Sequence, residues 1–218
     1  MTKPAHLTTT SQPIYDSLRD EILSGAIRPG EPLRQDEIAK RHGISKIPVR
    51  EALLKLEADG FVLFRKNRGA MVRELSAAEL LHLMDIRVAL ECKALELAIP
   101  NMIQSDFDVM HALLKQYAEV ETVEHWSSMN QSFHNALYEP CGNAQLLDMI
   151  RDIQQRMGPA LRLLMTEASG LDRPNEEHHA ILSACESGDV TGAVDLLRAH
   201  IETSKKETAA RLRRRDTV

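Results

Sequence analysis

The run Gly43-Ile44-Ser45-Lys46-Ile47-Pro48-Val49-Arg50-Glu51-Ala52-Leu53 constrains this chain more than any other stretch. Gly43 permits a tight turn, since only glycine takes a positive φ without steric cost. Ser45 suits a helix N-cap, where its hydroxyl accepts from the first free amides. Pro48 falls in the first helical turn, where its missing N–H is not needed. Val49, Ala52, Leu53 and Leu56 then recur at helical spacing as one apolar face. Lys46 and Arg50 belong to the opposite side, and Asp59-Gly60 ends the helix. Just upstream, residues 35–42 fit a second short helix with Ile38 and Ala39 inward. Two short helices joined by a glycine turn, the second with cations at its N-terminus, form the pattern that enters the major groove of DNA. Arg34, immediately before this pair, is expected near the backbone or minor groove.

The flanking sequence extends this unit. Residues 1–10 have no periodicity and are expected to be a disordered tail. Ser11 can cap a helix with Pro13 in its first turn and Ile14, Leu18, Ile22 and Leu23 as its apolar stripe. Residues 31–33 fit either a very short strand or an extended entry to the next helix. Residues 61–65 and 70–73 read as two strands, and Lys66-Asn67-Arg68-Gly69 suits the turn between them. A hairpin directly after the second helix is a wing. Arg65, Lys66 and Arg68 favour contact with phosphate over simple closure of a small core.

Charge divides the chain. Residues 1–73 carry 13 Lys and Arg against 9 Asp and Glu, a net of +4, while the remainder carries 14 against 23, a net of −9. A basic first third on an acidic body predicts a DNA-binding head and a body with another task. The longest apolar run is far short of the ~18 residues of a membrane span. Residues 1–12 lack the apolar core of a signal peptide, so a cytoplasmic location with no membrane partner is expected. Cys92, Cys141 and Cys185 are odd in number and widely spaced, which predicts free thiols.

Ser76-Ala77-Ala78-Glu79 is a capping box and marks a domain boundary near residue 75, with domains at 1–75 and 76–218. Beyond it, apolar residues recur at helical spacing through 77–99, 105–119, 125–139, 143–168, 174–187 and 190–212. Gly158-Pro159 is expected to kink or break the helix from 143. Arg213-Arg214-Arg215 reads as a solvated basic tail, with a second DNA contact as the lesser alternative. The fold class is therefore mainly α: a winged helix-turn-helix with a small hairpin, then an all-α bundle of six or seven helices.

Residues 45–53, with Leu56 and Asp59-Gly60, resemble the winged-helix signature of GntR-family transcription regulators. That motif usually has Arg or a similar residue at the position of Lys46 and Thr at that of Ile47. Lys46 keeps the charge but loses the bidentate fork suited to guanine. Ile47 can meet a thymine methyl but cannot donate a hydrogen bond. The second part resembles the FadR-type ligand-binding domain called FCD. The matching pieces are Arg87 to Glu91, Phe133-His134 with Leu137, Gly142-Asn143, His178 with Ile181-Leu182, Gly188-Asp189, Ala193 and His200. The resemblance spans about residues 11–205.

The resemblance implies DNA contacts from Arg34, Ser45, Lys46, Ile47, Pro48, Arg50, Arg68 and Gly69. It also implies a divalent metal site, since many such domains bind one through an Asp and three His. Here the four positions are Asn130, His134, His178 and His200, and Asn130 brings no negative charge. Asn130 and His134 are four apart and share a helix face. Neutral imidazoles suit Zn, Ni or a similar ion. Arg87 is expected either to bind the carboxylate of a small-molecule effector or to pair with Glu91 at i+4. The implied function is a homodimeric regulator, a repressor more than an activator, that binds a double-stranded DNA operator and responds to a small carboxylic acid. The alternatives are a sensor of the metal itself or of an acyl thioester, and a metal-dependent hydrolase fused to a DNA-binding head.

Overall fold

The structure is a computed structural model that describes residues 11–66, 68–118, 123–165 and 172–215. The expected tail at 1–10 lies outside these residues. The chain divides into two compact units, the first ending at Glu74 and the second beginning at Leu75.

The first unit contains α1 (Ser11–Leu23), β1 (Pro32–Leu33), α2 (Gln35–His42), α3 (Lys46–Ala58), β2 (Val62–Arg65) and β3 (Gly69–Val72). Ile14, Leu18 and Ile22 of α1 meet Val49, Ala52, Leu53 and Leu56 of α3 in one core. The last four are completely buried. Gly43 caps α2 at φ 66°, and the N–H of Ile44 returns to the carbonyl of Ala39 at 3.0 Å. At the end of α3, the N–H of Phe61 bonds the carbonyl of Leu56 at 2.9 Å and that of Gly60 bonds the carbonyl of Glu57 at 3.0 Å. This paired closure needs a left-handed residue, and Gly60 has φ 78°. Buried Phe61 then joins Leu56 in the core.

The sheet order is β1-β3-β2, with both pairings antiparallel. Leu33 lies opposite Ala70, so residues 32–33 are a strand, not merely an extended entry. The wing register sets Leu63 against Met71 and Arg65 against Gly69. Ser45 occupies the N-cap of α3 with extended backbone, but its hydroxyl makes no capping bond. The third residue of α3 is Pro48, which has no N–H, so one of the two amides that could donate to a cap is missing.

Among the described residues the second unit has α4 (Ala77–Ala98), α5 (Gln104–Ala118), α6 (Val123–Tyr138), α7 (Ala144–Met165), α8 (Asp172–Glu186) and α9 (Val190–Arg215). The capping box opens α4: Glu79 N–H donates to Ser76 Oγ at 3.2 Å, and Ser76 N–H donates to Glu79 Oε2 at 3.0 Å. Helix α7 runs unbroken through Gly158-Pro159, contrary to a break there. A proline deletes one helical hydrogen bond. Met157, Ala160 and Leu161 pack around that point against Leu80, Leu83 and Met84 and hold the helix together. Arg213–Arg215 are the last turn of α9 and not a tail, since Leu212 packs against the same cluster. Cys92, Cys141 and Cys185 are free thiols. No helix among the described residues is long and apolar enough to cross a membrane.

Two adjacent leucines of α3 separate core from surface. Leu53 is fully buried and Leu54 is 46% exposed. Leu53→Ala is expected to destabilise the first unit by about 2–5 kcal/mol, and Leu54→Ala by less than about 0.5 kcal/mol. Urea titrations of the two variants read the difference.

Candidate nucleic-acid interface and metal centre

Burying Val49, Ala52 and Leu53 turns the opposite face of α3 outward. Lys46, Ile47 and Arg50 are exposed there, Ile47 to 71%. Ser45 is exposed, and Pro48 is half-buried beneath them. Leu54 continues the row from Ile47 and Arg50 at helical spacing, which the sequence reading did not single out. Two of the expected cations already have partners in α2. Lys46 pairs with Asp36, and Arg34 Nη1 lies 3.2 Å from Glu37 Oε1. Arg41 is committed to the fold, with its two Nη groups donating to Glu21 of α1 at 2.8 and 3.0 Å. Arg65, Lys66, Arg68 and Gly69 are exposed on the wing.

In the second unit, α6, α8 and α9 bring three imidazoles together. His134, His178 and His200 are 1%, 0% and 6% exposed. Their ring centroids stand 4.8–5.3 Å apart. One ligand nitrogen from each lies within 4.8 Å of the others. Asn130 is half-buried one turn before His134 on α6. His179 is exposed and turned away from the cluster.

The hydrogen bonds decide which nitrogens are available. Tyr138 O–H donates to Glu91 Oε2 at 2.8 Å. Its oxygen then accepts from His134 Nδ1 at 3.0 Å, so the proton of His134 is on Nδ1. His200 Nδ1 lies 2.7 Å from Glu177 Oε2, and a carboxylate can only accept, so that proton is also on Nδ1. The first bond leaves the Nε2 lone pair of His134 in the interior. Among the described residues His134 Nε2 and both nitrogens of His178 are buried without a hydrogen-bond partner. Such atoms cost about 1–3 kcal/mol each when unmet. Three clustered imidazoles, two of them oriented by outer hydrogen bonds, fit the donor set of a divalent transition metal. Around a tetrahedral ion, whose bonds to nitrogen are about 2.0–2.1 Å, the nitrogens would stand roughly 3.3 Å apart, so the spread of up to 4.8 Å has to close when an ion binds.

Burial is the main cause that holds the His134 imidazole well below its ordinary value, with His178, His200 and Arg87 adding to it. Burial, then His200 and His179, lower His178 to about 2. Burial and the Glu91 charge hold the Tyr138 phenol well above its usual range, which keeps it a donor. Arg87 pairs with Glu91, Nε to Oε1 at 2.7 Å and Nη2 to Oε2 at 3.1 Å. Of the two partners the sequence allowed for Arg87, this geometry contains Glu91. Tyr138 and Glu177 escaped the sequence reading. Tyr138 had a signal, four residues after His134. Glu177 had none, because it adjoins His178 in sequence but bonds His200.

A helix-turn-helix with a hairpin wing, followed by an all-α bundle, defines a winged-helix DNA-binding protein with an appended helical domain. Residues 10–72 match the model of bacterial regulatory proteins of the gntR family, and residues 82–203 match the FCD domain. The chain is 29% identical over 208 residues to the HTH-type transcriptional repressor GlaR of Escherichia coli K12, covering 90% of this chain and 94% of that one. It is 31% identical over 211 residues to a probable D-xylose utilization operon transcriptional repressor of Paenarthrobacter nicotinovorans, covering 93% and 90%. It is similar to the solved structure of McbR/YncC of E. coli, with 28% identity, a TM-score of 0.76 and coverage of 90% and 95%. The chain belongs to the GntR family of DNA-binding transcription regulators and carries an FCD domain.

The lowered histidines set a pH dependence. Their folded values lie below the ordinary 6.5 of the unfolded chain, so the unfolded state binds more protons beneath that pH. The stability they contribute is fully present above about 6.5 and declines as pH falls towards their folded values. Metal-free protein is therefore expected to lose urea resistance steadily from pH 7 to pH 5, and His178→Phe to lose less over that interval.

Proposed function

We propose that this protein is a homodimeric, cytoplasmic repressor whose hold on its operator is set by a small carboxylic acid bound in the helical domain. Residues 1–75 read DNA, and residues 76–218 bind the effector and dimerise. Each dimer reads two related half-sites through α3. Arg50 and Lys46 carry most of the base contact, with Ile47 against a thymine methyl and Ser45 and Pro48 close to the backbone. Arg34, Arg68 and Gly69 lie near phosphate or the minor groove. Lys46 and Arg34 exchange their carboxylate partners in α2 for DNA.

The observation that carries the effector reading is the set of buried, unpartnered imidazole nitrogens of His134 and His178 beside His200. These three residues, with Asn130, are the candidates to hold Zn, Ni or a similar divalent ion. When bound, such an ion supplies positive charge and an open position for one carboxylate oxygen. Arg87 can add a charge-assisted bond through donors that Glu91 does not use. The same nitrogens argue against an acyl thioester, which has no need of three polar ligands in its cavity. A sensor of the metal alone needs no acid. The protein is proposed not to be an enzyme, and absence of turnover against a panel of esters and amides distinguishes it from a metal-dependent hydrolase. Control of the operator requires that the acid bind the free and DNA-bound forms with different affinity.

Arg50→Ala is expected to remove a contact worth about 1–3 kcal/mol of sequence discrimination while leaving thermal stability unchanged. Retained operator affinity in a binding titration rejects that role. For the effector, metal analysis is paired with thermal shifts across small carboxylic acids, with and without chelator. Bound metal and chelator-sensitive stabilisation by one acid are expected. Stabilisation indifferent to chelator overturns the metal-anchored reading.

A further inference from the structure

The buried chain of hydrogen bonds behind His134 has a direction, and that direction has a consequence for the donor set. Glu91 is fully buried in α4 and receives four donors. Arg87 donates from Nε at 2.7 Å and Nη2 at 3.1 Å, Tyr138 from its hydroxyl at 2.8 Å, and Gln154 from Nε2 at 3.4 Å. A carboxylate paired with a guanidinium accepts and does not donate. The Tyr138 proton is therefore spent on Glu91, and the Tyr138 oxygen is left to accept from His134 at 3.0 Å. With the opposite polarity, Tyr138 would donate to His134 Nδ1, the imidazole proton would move to Nε2, and the lone pair in the interior would be lost.

We propose that Tyr138 and Glu91 are positioning residues for His134, and that the Arg87–Glu91–Tyr138 chain holds this imidazole with its proton on Nδ1 so that Nε2 is presented as a metal donor. The inference rests on the metal-centre reading, but one of its readouts needs no metal. Arg87 takes part by holding Glu91 in place as an acceptor. Glu177 gives His200 the same polarity from the other side of the cluster, at 2.7 Å. Packing alone does not select the tautomer, because the two forms of a neutral imidazole have the same shape. The carboxylate selects it.

The test uses the full chain. Nitrogen NMR of the imidazoles in metal-free protein is expected to show His134 protonated on Nδ1 and bare on Nε2. A His134 protonated on Nε2 overturns the proposal. Tyr138→Phe removes one hydroxyl and keeps the ring. It is expected to give a mixture of both His134 tautomers and to bind Co(II) about 10–100-fold more weakly, with a shifted visible spectrum. Circular dichroism checks that the variant is folded. Co(II) affinity and spectrum equal to those of the unchanged protein overturn the positioning role. If Tyr138→Phe does not fold, the tautomer in the unchanged protein decides. If the unchanged protein binds no Co(II), the metal-centre reading fails, and the NMR result still decides whether the chain sets the tautomer.

Discussion

A neutral imidazole buried away from water must place one N–H and satisfy one lone pair. His134 and His178, buried beside the ring of His200, make that demand the strictest condition on the second unit. Unlike the surrounding Leu and Ile contacts, it is directional and cannot be met by a neighbour of roughly the right size. Two of the rings give their protons to oxygens supplied from behind, His134 to Tyr138 and His200 to Glu177. The buried nitrogens left without a partner, His134 Nε2 and both of His178, lie in the cluster, where a cation or a hydrogen-bond donor can satisfy a lone pair. The elements α4, α6, α8 and α9 are tied into the bundle by this requirement as well as by the apolar core that surrounds it.

The first unit is organised by a different constraint, the two faces of α3. Four residues with no exposure hold one face to α1 and the hairpin. Ile47, Arg50 and Leu54 are displayed on the other because nothing in the head is left to cover them. Pro48 links the two faces. It removes one of the two amides that Ser45 could cap, and the serine hydroxyl at the exposed tip makes no capping bond. The acidic residues of α2 hold Lys46 and Arg34 at the surface, which costs little because exposed pairs exchange readily with solvent.

Much of this was legible beforehand. The element boundaries around Gly43, Gly60 and the Ser76 capping box rest on local chemistry that acts within one turn, and they fall where that chemistry puts them. The departures arose where local preference met tertiary packing. Pro159 does not end α7, because contacts on both sides of it hold the helix. The final arginines stay helical because Leu212 has a cluster to join. Asp36 as the partner of Lys46 was not legible, since α2 and α3 are separated by a turn whose geometry sets their side-chain approach.

The sequence by itself determined that the first unit is a helix-turn-helix with a wing, that a helical body follows, and that Asn130 and His134 share a face. Each of these depends on spacing within a single element or on a turn residue. Only the tertiary structure decided that His134, His178 and His200 meet, since they come from three helices separated by tens of residues. It also decided that Arg87 is held by Glu91 and that the nitrogen His134 leaves unpartnered is Nε2. Polarity in a hydrogen-bond chain depends on what stands behind each ring, and in this fold that is Tyr138 backed by Glu91 on one side and Glu177 on the other.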